Sequence, residues 1–518
     1  MITASHNPPE DNGIKIVDSD GGMLSPTWEP FAEEVANIDK SLLLHYLNGV
    51  ATSNGVKDLA SIGSSSIVFL GRDTRVHSAE LSVCVEKGIS SMSGRFIDMG
   101  EVTTPQLHFC VNFFNTHRHF FDLDQMPSEQ IVQSLLNHYY TSLYVGFQQL
   151  NDTADAADSS NNNCWNHVIL DCANGVGSLA VNGFMRVYNS HTHSMIMEID
   201  CKNIARDGPV NEHCGAELVQ KNQVKPLIKG LDYHGETADV EFLNKLFCSF
   251  DGDADRIVFH GICNGDSDSK PKWILIDGDK IAALFSLLLV RELKAAVAQN
   301  SDHCTLEFSL GVVQTAYANG ASTRYLHSIG VHTAIAKTGV KYVHHKAVEF
   351  DVGIYFEANG HGTVIFSDRF KQELTTWPSS TAVDRLRASV MLINQCVGDA
   401  LSDMLYCMGA LKVLQMTLFQ WSELYKDLPS RQQKVAVLNK HLVRCSEDET
   451  RILEPAAMQS DLDEAMLSVS NGRCFVRPSG TEDVVRIYAE ASTQVEADEL
   501  AKVTHQIIVK YLCELLER

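Results

Sequence analysis

Short apolar segments that end abruptly in polar or glycine-rich loops recur along this chain. Residues 67–70, 168–170, 246–250 and 353–356 are such segments, and their composition predicts β-strands. Stretches of helical character lie between them, for example residues 281–297. Strands that alternate with helices predict α/β domains with mixed or parallel sheets, whose ligand sites lie beyond the carboxyl ends of the strands.

The pattern changes near the end of the chain. Residues 474–476 and 484–489 are predicted strands around a glycine-containing loop, and a helix follows whose apolar face is formed by Ala497, Leu500, Ala501, Ile508, Tyr511 and Leu515. This pattern predicts a compact α+β unit. Two polar segments separate apolar ones: residues 151–163, a predicted linker, and residues 264–272, the predicted tip of a hairpin.

Length and composition indicate a globular protein of several domains. The chain has 518 residues, of which 44% are hydrophobic, and its net charge of −23 argues against a nucleic-acid partner or an anionic membrane surface. If a protein this acidic binds an anion, it must therefore gather positive charge locally. The 14 cysteines include no C-x-x-C pair, so we interpret them as small buried side chains in a reducing compartment.

The sequence carries no recognisable targeting signal. Its amino end has neither a basic start nor an apolar stretch, and the apolar run at residues 281–290 is far shorter than the roughly 18–20 residues that span a bilayer. We therefore expect a cytoplasmic protein without membrane contact. No obligate protein partner is evident.

The segment Asp251-Gly252-Asp253-Ala254-Asp255-Arg256 is the first candidate for chemistry. At about 5 Å and an effective dielectric of ~20, two carboxylates repel by roughly 3 kcal/mol, and a hard cation such as magnesium or calcium relieves that repulsion. A calcium-binding helix–loop–helix needs Gly and Glu at its sixth and twelfth positions, where this chain has Arg256 and Ile262. That alternative fails, whereas a solvated acidic loop stays open.

A serine close to the first residue is the second candidate. Ser5 lies in Thr3-Ala4-Ser5-His6-Asn7-Pro8-Pro9-Glu10-Asp11-Asn12-Gly13-Ile14-Lys15, and taken alone it is explained as readily by a turn or a helix cap. As a phosphoryl carrier it needs electrostatic help, which the Asp-rich loop with magnesium could supply. Lys15 could move the proton of a sugar hydroxyl if its pKa is lowered.

Two further loops carry groups suited to a sugar phosphate. Arg477-Pro478-Ser479-Gly480-Thr481-Glu482-Asp483, followed by Arg486, offers forked donors, hydroxyls and open backbone to a dianion, with a plain turn as the alternative. Glu357-Ala358-Asn359-Gly360-His361-Gly362 offers an acceptor, an amide and a histidine between glycines. That set suits a polyol, and His361 could move a proton at neutral pH.

The segment Gly175-Val176-Gly177-Ser178-Leu179-Ala180 matches the dinucleotide-binding pattern G-x-G-x-x-G/A, with Glu198 and Asp200 downstream. Residues 171–174 separate it from the preceding predicted strand, whereas the fingerprint normally turns at once. A nicotinamide-dependent enzyme is therefore a minor alternative.

Taken together, these loops resemble the α-D-phosphohexomutase superfamily and, within it, the phosphoacetylglucosamine mutase family. The resemblance rests on residues 3–8, 251–256, 357–362 and 477–481, and on four further segments: Gly71-Arg72-Asp73-Thr74-Arg75, Thr103-Thr104-Pro105-Gln106-Leu107-His108, Val313-Gln314-Thr315-Ala316-Tyr317-Ala318-Asn319-Gly320 and Lys337-Thr338-Gly339-Val340-Lys341. They span nearly the whole chain in the family's order. The Glu-Ala-Asn form of the sugar loop looks like the acetylglucosamine branch.

The resemblance implies an α/β fold with the four-domain phosphohexomutase architecture, in which three α/β domains with mixed sheets and a C-terminal α+β domain surround a central cleft. We place these domains at residues 1–160 (phosphoserine loop), 161–266 (metal loop), 267–427 (sugar-binding loop with a helical connection) and 428–518 (phosphate-binding loop).

The resemblance also implies a role for each site residue. Ser5 would be the phosphorylated nucleophile and, with Asp251, Asp253 and Asp255, a ligand of one magnesium ion, supported by His6 and Arg256. Lys15 and His361 would carry protons on either side of the sugar. The substrate would be bound by Glu357, Ala358, Asn359, Arg477, Pro478, Ser479, Gly480, Thr481 and Arg486.

The implied reaction converts N-acetylglucosamine 6-phosphate into N-acetylglucosamine 1-phosphate through a bound 1,6-bisphosphate, with a hexose 1,6-bisphosphate as activator, and its product feeds UDP-N-acetylglucosamine synthesis. A non-catalytic sugar-phosphate binder and a glucose or mannose phosphomutase stay open as alternatives. The family normally has a leading strand and a Gly-Thr-Ala-Gly-Phe-Arg-like segment before the serine loop, whereas this sequence begins four residues before Ser5. We therefore expect a truncated form with weak or absent activity.

Overall fold

The computed structural model describes residues 1–7, 11–56, 66–154, 165–192, 197–235, 237–264, 270–300, 308–437, 439–479 and 483–512. The chain divides into two compact units. The first unit comprises Met1–Asp277, Asn359–Thr363 and Asp384–Leu418, and the second comprises Gly278–Ala358, Val364–Val383 and Phe419–Arg518. The division into four domains stays a prediction.

Helices and strands alternate along most of the chain. The helices are α1 (Glu29–Asn37), α2 (Lys40–Ser53), α3 (Ser78–Ser91), α4 (Thr104–Thr116), α5 (Ser128–Asp152), α6 (Gly177–His191), α7 (Ala216–Asn222), α8 (Ala238–Glu241), α9 (Gly278–Gln299), α10 (Gly320–Ser328), α11 (Val340–Ala347), α12 (Asp368–Thr376), α13 (Thr381–Leu392), α14 (Ala400–Leu414), α15 (Leu418–Ser422), α16 (Ala456–Leu467) and α17 (Gln494–Leu512), with short 3₁₀ turns at Arg118–Phe120 and Lys440–Leu442.

The strands are β1 (Ile67–Arg72), β2 (Arg95–Glu101), β3 (His167–Asp171), β4 (Glu198–Lys202), β5 (Leu246–Phe250), β6 (Ile257–Cys263), β7 (Lys272–Ile276), β8 (Leu310–Thr315), β9 (His332–Ala336), β10 (Val352–Phe356), β11 (Gly362–Phe366), β12 (Ser430–Ala436), β13 (Arg444–Cys445), β14 (Ile452–Glu454), β15 (Arg473–Pro478) and β16 (Val484–Glu490).

The sheets of the first unit are mixed or parallel, as the sequence predicts. Its five-stranded sheet has the order β4-β3-β5-β6-β7, in which β3 is parallel to β4 and β5 while β6 is antiparallel to β5 and β7. Strands β1 and β2 form a separate parallel pair. The mixed α/β fold class is thereby confirmed for this part of the chain.

The second unit has a four-stranded sheet of order β11-β10-β8-β9 and a three-stranded antiparallel sheet of order β12-β16-β15. Helices α16 and α17 cover the three-stranded sheet, and their apolar side chains share one buried cluster with its strands. This is the predicted C-terminal α+β unit. On the predicted helix face, Ala497, Leu500, Ala501 and Ile508 are buried and Tyr511 is half-buried, while Leu515 lies outside the described residues.

Most predicted elements are present, with differences at their ends. The predicted strand at 246–250 coincides with β5, and the predicted helix at 281–297 begins at Gly278 and ends at Gln299. The predicted hairpin tip joins β6 to β7, although its residues 265–269 are not described. The linker prediction is wrong at its start, because residues 151 and 152 complete the last turn of α5. Its remainder from residue 155 lies outside the described residues.

Long helix α5 supplies much of the core of the first unit. Its residues Leu135, Tyr139, Leu143, Phe147 and Leu150 recur at helical spacing and are all buried. All eleven cysteines in the described segments are free thiols, and seven of them are buried, as predicted. No described helix is both long enough and apolar enough to cross a membrane.

Candidate active site

The Asp-rich loop joins β5 to β6 in the first unit, and all six of its residues are shielded from solvent to some degree. Asp251 and Asp253 are fully buried, and Asp255 is 5% exposed. Asp251 shapes the turn, because its Oδ1 accepts the N–H groups of Asp255 (3.0 Å) and Arg256 (3.1 Å). Ala254 takes a left-handed conformation with φ of 58°. The three carboxylates therefore converge instead of splaying into water, and the solvated-loop alternative does not describe this structure.

The glycines of the dinucleotide-like segment support this loop. A Cβ on Gly175 would lie 2.3 Å from the carbonyl oxygen of Gly252, and a Cβ on Gly177 would lie 2.9 Å from the Phe250 ring. The N–H of Val176 donates to the Gly252 carbonyl at 3.1 Å. Close packing against the Asp-rich loop thus explains both glycines.

The serine loop is held by the start of the chain and by the segment after β1. Ile2 is completely buried and bridges to Arg72 at the end of β1. Thr3 donates its hydroxyl to Asp73 at 2.7 Å. The Arg75 guanidinium donates to the carbonyls of residues 4, 7 and 11. One buried cation therefore organises the backbone on both sides of Ser5.

These supports bring the Ser5 hydroxyl to the Asp-rich loop. Ser5 Oγ donates to Asp253 Oδ1 at 2.6 Å and lies 3.5 Å from Asp251 Oδ2. Ligand atoms of His6, Asp251, Asp253 and Asp255 all lie within 4.8 Å of one another. The residues predicted to form one metal and phosphoryl site therefore share one place in the structure.

Burial makes this cluster electrostatically unusual. Burial raises the pKa of Asp251 to about 6, and the charges of Asp255 and Asp253 add to the shift. Burial also acts to raise the pKa of Asp253 and Asp255, but Lys15, together with Ser5 at Asp253 and with His361 and Arg256 at Asp255, outweighs it, and the pKa of each is lowered. The cluster therefore concentrates negative charge beside nearby cations.

Two cationic side chains contact the carboxylates. Lys15 Nζ lies 2.6 Å from Asp253 Oδ2 and 2.8 Å from Asp255 Oδ2. His6 Nε2 lies 3.0 Å from Asp251 Oδ2, and its Nδ1 pairs with Glu217. Burial acts to lower the pKa of His6, but its hydrogen bonds to Asp251 and Glu217 raise the pKa to about 10.

Lys15 does not have, in this state, the lowered pKa that the proposed role as a proton carrier requires. Burial acts to lower the pKa of Lys15, but the charges of Asp253 and Asp255 outweigh it and raise the pKa above its ordinary value. The role of Lys15 as a proton carrier stays a prediction, which requires a lower pKa than Lys15 has in this arrangement. A lysine bridging two carboxylates holds its proton firmly.

The division of the chain into two units falls within the predicted sugar loop, after Ala358. In the first unit, His361 Nδ1 lies 3.4 Å from Asp255 Oδ1, and the His361 N–H donates to Asn359 Oδ1 at 2.9 Å. Gly360 has φ of 87°, and a Cβ there would lie 1.8 Å from the Ile257 carbonyl oxygen, so only glycine fits. In the second unit, Glu357 follows β10 directly, and the Ala358 carbonyl accepts the N–H of Gly278 at 3.3 Å.

The predicted phosphate-binding residues lie at the ends of β15 and β16 in the second unit. Arg477 and Arg486 face each other across this antiparallel pair, and Lys434 on β12 faces Arg486 from the other side. Like charges directly opposite each other are destabilising unless an anion joins them. Ser479 is buried and its N–H donates to Val484, whereas Gly480 and Thr481 lie outside the described residues.

Arg477 is also positioned from its sides. Its Nε donates to the Tyr317 hydroxyl at 3.1 Å, and one terminal nitrogen lies 3.3 Å from Glu449 Oε1. Glu449 Oε2 in turn accepts the N–H and the hydroxyl of Thr338. The guanidinium is therefore oriented before any ligand is bound.

Sequence reasoning did not assign several residues that complete this site. Thr104 donates its hydroxyl to Asp253 Oδ2 at 2.6 Å, and Asn211 donates to the Ser5 carbonyl at 2.6 Å. Thr104 is placed by a capping box at the start of α4, in which Thr103 and Gln106 bond reciprocally. The Thr-Thr-Pro-Gln pattern was a usable signal for that helix start, whereas nothing local indicates Asn211.

Comparison with known protein families places this site in a wider context. Residues 277–416 match the family model described as phosphoacetylglucosamine mutase AMG1, domain III. Residues 442–505 match the C-terminal domain of phosphoglucomutase/phosphomannomutase, and residues 1–42 match its alpha/beta/alpha domain I. Phosphoacetylglucosamine mutase of Arabidopsis thaliana is 40% identical over 534 aligned residues, which cover 99% of this chain and 88% of that protein.

Solved structures show the same similarity. N-acetylphosphoglucosamine mutase of Aspergillus fumigatus, in complex with GlcNAc-6P and magnesium, has a TM-score of 0.81 and 32% identity, covering 98% of this chain and 88% of that one. Another structure of that mutase, in complex with glucose 1,6-bisphosphate, has a TM-score of 0.78 and 32% identity, covering 98% and 87% of the two chains.

Proposed function

The chain belongs to the phosphoacetylglucosamine mutase family, and from that premise we propose that it interconverts N-acetylglucosamine 6-phosphate and N-acetylglucosamine 1-phosphate. The phosphoryl group on Ser5 passes to the sugar hydroxyl, which gives a bound 1,6-bisphosphate. That intermediate turns around and returns its other phosphoryl group to Ser5. A hexose 1,6-bisphosphate restores the phosphoserine when it is lost.

One observation carries this proposal: the Ser5 hydroxyl lies 2.6 Å from Asp253 within a cluster of three buried carboxylates. A surface serine is a poor phosphoryl carrier, because nothing stabilises the charge that develops on its oxygen. A buried serine beside a site for a divalent cation has that stabilisation. The related structures with GlcNAc-6P and glucose 1,6-bisphosphate support the same substrate class.

The residues present fit a magnesium ion. Ser5, Asp251, Asp253 and Asp255 would hold it, because hard oxygen ligands are those that magnesium prefers. Asp255 Oδ1 is buried and lies 3.4 Å from His361 Nδ1 and 3.7 Å from Arg256 Nε, but it makes no hydrogen bond of normal geometry within the described segments, so it could serve as a ligand. When bound, magnesium neutralises charge on a transferring phosphoryl group.

We assign the proton steps to Lys15 and His361. His361 is buried, its Nδ1 is oriented toward Asp255, and its Nε2 makes no hydrogen bond within the described segments. A histidine oriented through one ring nitrogen keeps the other for proton transfer. Lys15 would need a lower pKa during turnover than in this state, which a second cation on Asp253 and Asp255 would produce.

The proposal extends to the substrate-binding groups. Glu357, Ala358 and Asn359 would bind the sugar, with His6 and Arg256 supporting the metal loop. The phosphate that is not reacting would be clamped by Arg477, Pro478, Ser479, Gly480, Thr481 and Arg486. The four-domain division, a cytoplasmic location and the use of the product in UDP-N-acetylglucosamine synthesis belong to the same proposal.

Radiolabelling tests the phosphoryl carrier directly. The protein is incubated with magnesium and glucose 1,6-bisphosphate carrying labelled phosphate, and the labelled peptide is mapped. We expect about one label per chain on Ser5, no label in Ser5→Ala, and a loss of turnover of about 10³-fold or more in that variant. Ser91→Ala, on the exposed end of α3, is the matched control and should keep both label and turnover.

Two results would contradict the proposal. A wild-type chain that binds sugar phosphate but takes up no label would be a non-catalytic binder. Faster turnover of glucose or mannose 6-phosphate than of N-acetylglucosamine 6-phosphate would identify a different hexose mutase.

A further inference from the structure

The loop of residues 203–215, between β4 and α7, is held in an uncommon backbone conformation beside the serine loop. Asn203, Arg206, Asn211 and His213 all have positive φ angles, from 46° to 71°. Such conformations persist only where surrounding contacts fix them. Buried Asp171 provides such contacts at the two ends of the loop, since it accepts the N–H of Gly215 at 2.7 Å and the Asn203 amide at 2.8 Å.

Asn211 links this loop to the candidate phosphoryl carrier. Its Nδ2 donates to the Ser5 carbonyl at 2.6 Å, and its own N–H donates to the Ala173 carbonyl at 2.9 Å. Ser5 and Asn211 both lie against Gly252, where a Cβ would be 3.1 Å from Ser5 Cβ and 3.2 Å from Asn211 Nδ2. The amide of Asn211 is thus packed between the serine loop and the Asp-rich loop.

We propose that Asn211 is a positioning residue for phosphoryl transfer at Ser5. It fixes the Ser5 carbonyl, and hence the direction of the Ser5 side chain, relative to Asp253. The inference rests on the proposed function, and it assigns to residues 203–215 the task of keeping the two loops in register. Asn211 does not contact the reacting atoms in this structure, so it acts through Ser5.

The residue type fits this task for two separate reasons. Asparagine tolerates left-handed backbone better than most residues, and its φ here is 62°. Its amide also offers two N–H donors, whereas the Ser5 carbonyl can only accept. Aspartate would keep the size and the backbone tolerance, but it would place a fourth carboxylate beside three others.

The test compares Asn211→Gly and Asn211→Asp with a glycine control in the same loop. Glycine adopts the left-handed conformation without strain, so Asn211→Gly removes the amide and leaves the backbone. His213→Gly is the matched control, because His213 is exposed and has φ of 57°. We expect Asn211→Gly to slow the labelling of Ser5 by about 10- to 100-fold, since a misplacement of about 1 Å costs that much.

A second readout needs neither metal nor substrate. The N–H of Asn7 donates to the Ala4 carbonyl within the serine loop, so its hydrogen exchange reports the order of that loop. We expect exchange of residues 3–7 to accelerate in Asn211→Gly and Asn211→Asp but not in His213→Gly. The Michaelis constant for N-acetylglucosamine 6-phosphate should change less than twofold in all three.

The outcomes separate this inference from the proposed function. A wild-type chain that takes no label on Ser5 overturns the proposed function. A labelled wild type with equally fast labelling in Asn211→Gly overturns the role of Asn211. Equal slowing in His213→Gly would assign the effect to the loop backbone and also overturn it. If Asn211→Gly does not fold, Asn211→Asp decides the question, because it keeps the side-chain volume.

Discussion

Asp403 on α14 has a carboxyl group that is buried without a hydrogen-bond partner among the described residues. It is almost completely buried, and neither carboxyl oxygen makes a hydrogen bond of normal geometry within the described residues. Burial raises the pKa of Asp403 well above its ordinary value, and the Asp399 charge adds to the shift. Such a group keeps its proton to a higher pH in the folded protein than in the unfolded chain.

We therefore predict that Asp403→Asn stabilises the protein in a pH-dependent way. The folded-state pKa is raised, so the unfolded chain releases its proton first, and stability is lost as the pH rises above about 4. The substitution removes that loss. At pH 8 it should raise the free energy of unfolding by about 1–2 kcal/mol, with a smaller gain at pH 5, as measured by denaturant unfolding.

Asp399 is the matched control for that measurement. It caps the start of the same helix, but its buried carboxylate accepts several hydrogen bonds. It accepts the Tyr139 hydroxyl, the Asn394 amide and the N–H groups of Leu401 and Ser402. Asp399→Asn should destabilise by about 1–3 kcal/mol, since it leaves donors without an acceptor. If both substitutions destabilise equally at pH 8, the account of Asp403 is wrong.

At the scale of single residues, the sequence reveals groups with unusual local neighbours and misses those that act over long distances. Ser5 and the Asp-rich loop stand out because His, Pro and alternating carboxylates surround them. Thr104, Arg75 and Asn211 contact the same site through pairings 64 to 206 residues apart in the chain. Arg75 and Thr104 lie in segments that carry the family resemblance, but local sequence assigns no role to either of them or to Asn211, so only the tertiary structure does.

At the scale of elements, Gly175, which lies just before α6, shows how the start of a helix constrains a loop packed against it. Gly175 is not among the residues with positive φ, so its need for glycine is steric: a Cβ would overlap the Gly252 backbone. We predict that Gly175→Ala displaces the Asp-rich loop and destabilises the first unit by about 1–3 kcal/mol. Isothermal titration should show weaker magnesium binding.

The same substitution elsewhere should have the opposite sign. Gly88 lies inside α3, and a Cβ there would have no described heavy atom within 4 Å. Gly88→Ala should therefore stabilise by about 0.5–1 kcal/mol, because alanine loses less backbone entropy in a helix. Equal magnesium affinity in Gly175→Ala and Gly88→Ala would contradict the proposed steric support.

Element ends show where pattern reasoning stops. Both ends of β5 agree with the prediction, because the largely apolar segment stops directly before the carboxylate of Asp251. Helix α9 begins three residues earlier than its apolar run, since Asp279 and Lys280 are buried polar residues that a hydrophobic pattern excludes. Helix α5 continues into a polar segment, since the last turn of a helix tolerates such residues at its surface. Composition marks the core of an element better than its ends.

At the scale of the whole molecule, the candidate metal ligands all belong to one unit. Ser5, Asp251, Asp253 and Asp255 lie in the first unit, and the chain carries a net charge of −23. A cation that binds only the folded state stabilises it by mass action, by about 2.7 kcal/mol at 100 times its dissociation constant. Magnesium should therefore protect the first unit against opening.

Hydrogen exchange followed by mass spectrometry resolves that effect within the chain. We predict that magnesium slows exchange in peptides from β5 and β6, where the carboxylates are anchored, more than in peptides from β15 and β16 of the second unit. Asp253→Asn should abolish the protection, because it removes a central ligand charge. Asp239→Asn, an exposed position in the same unit that pairs with Lys225, should keep it. Equal protection in both variants would show that the effect does not come from an ion bound at Asp253. A general screening of negative charge, for example, would act on both variants alike.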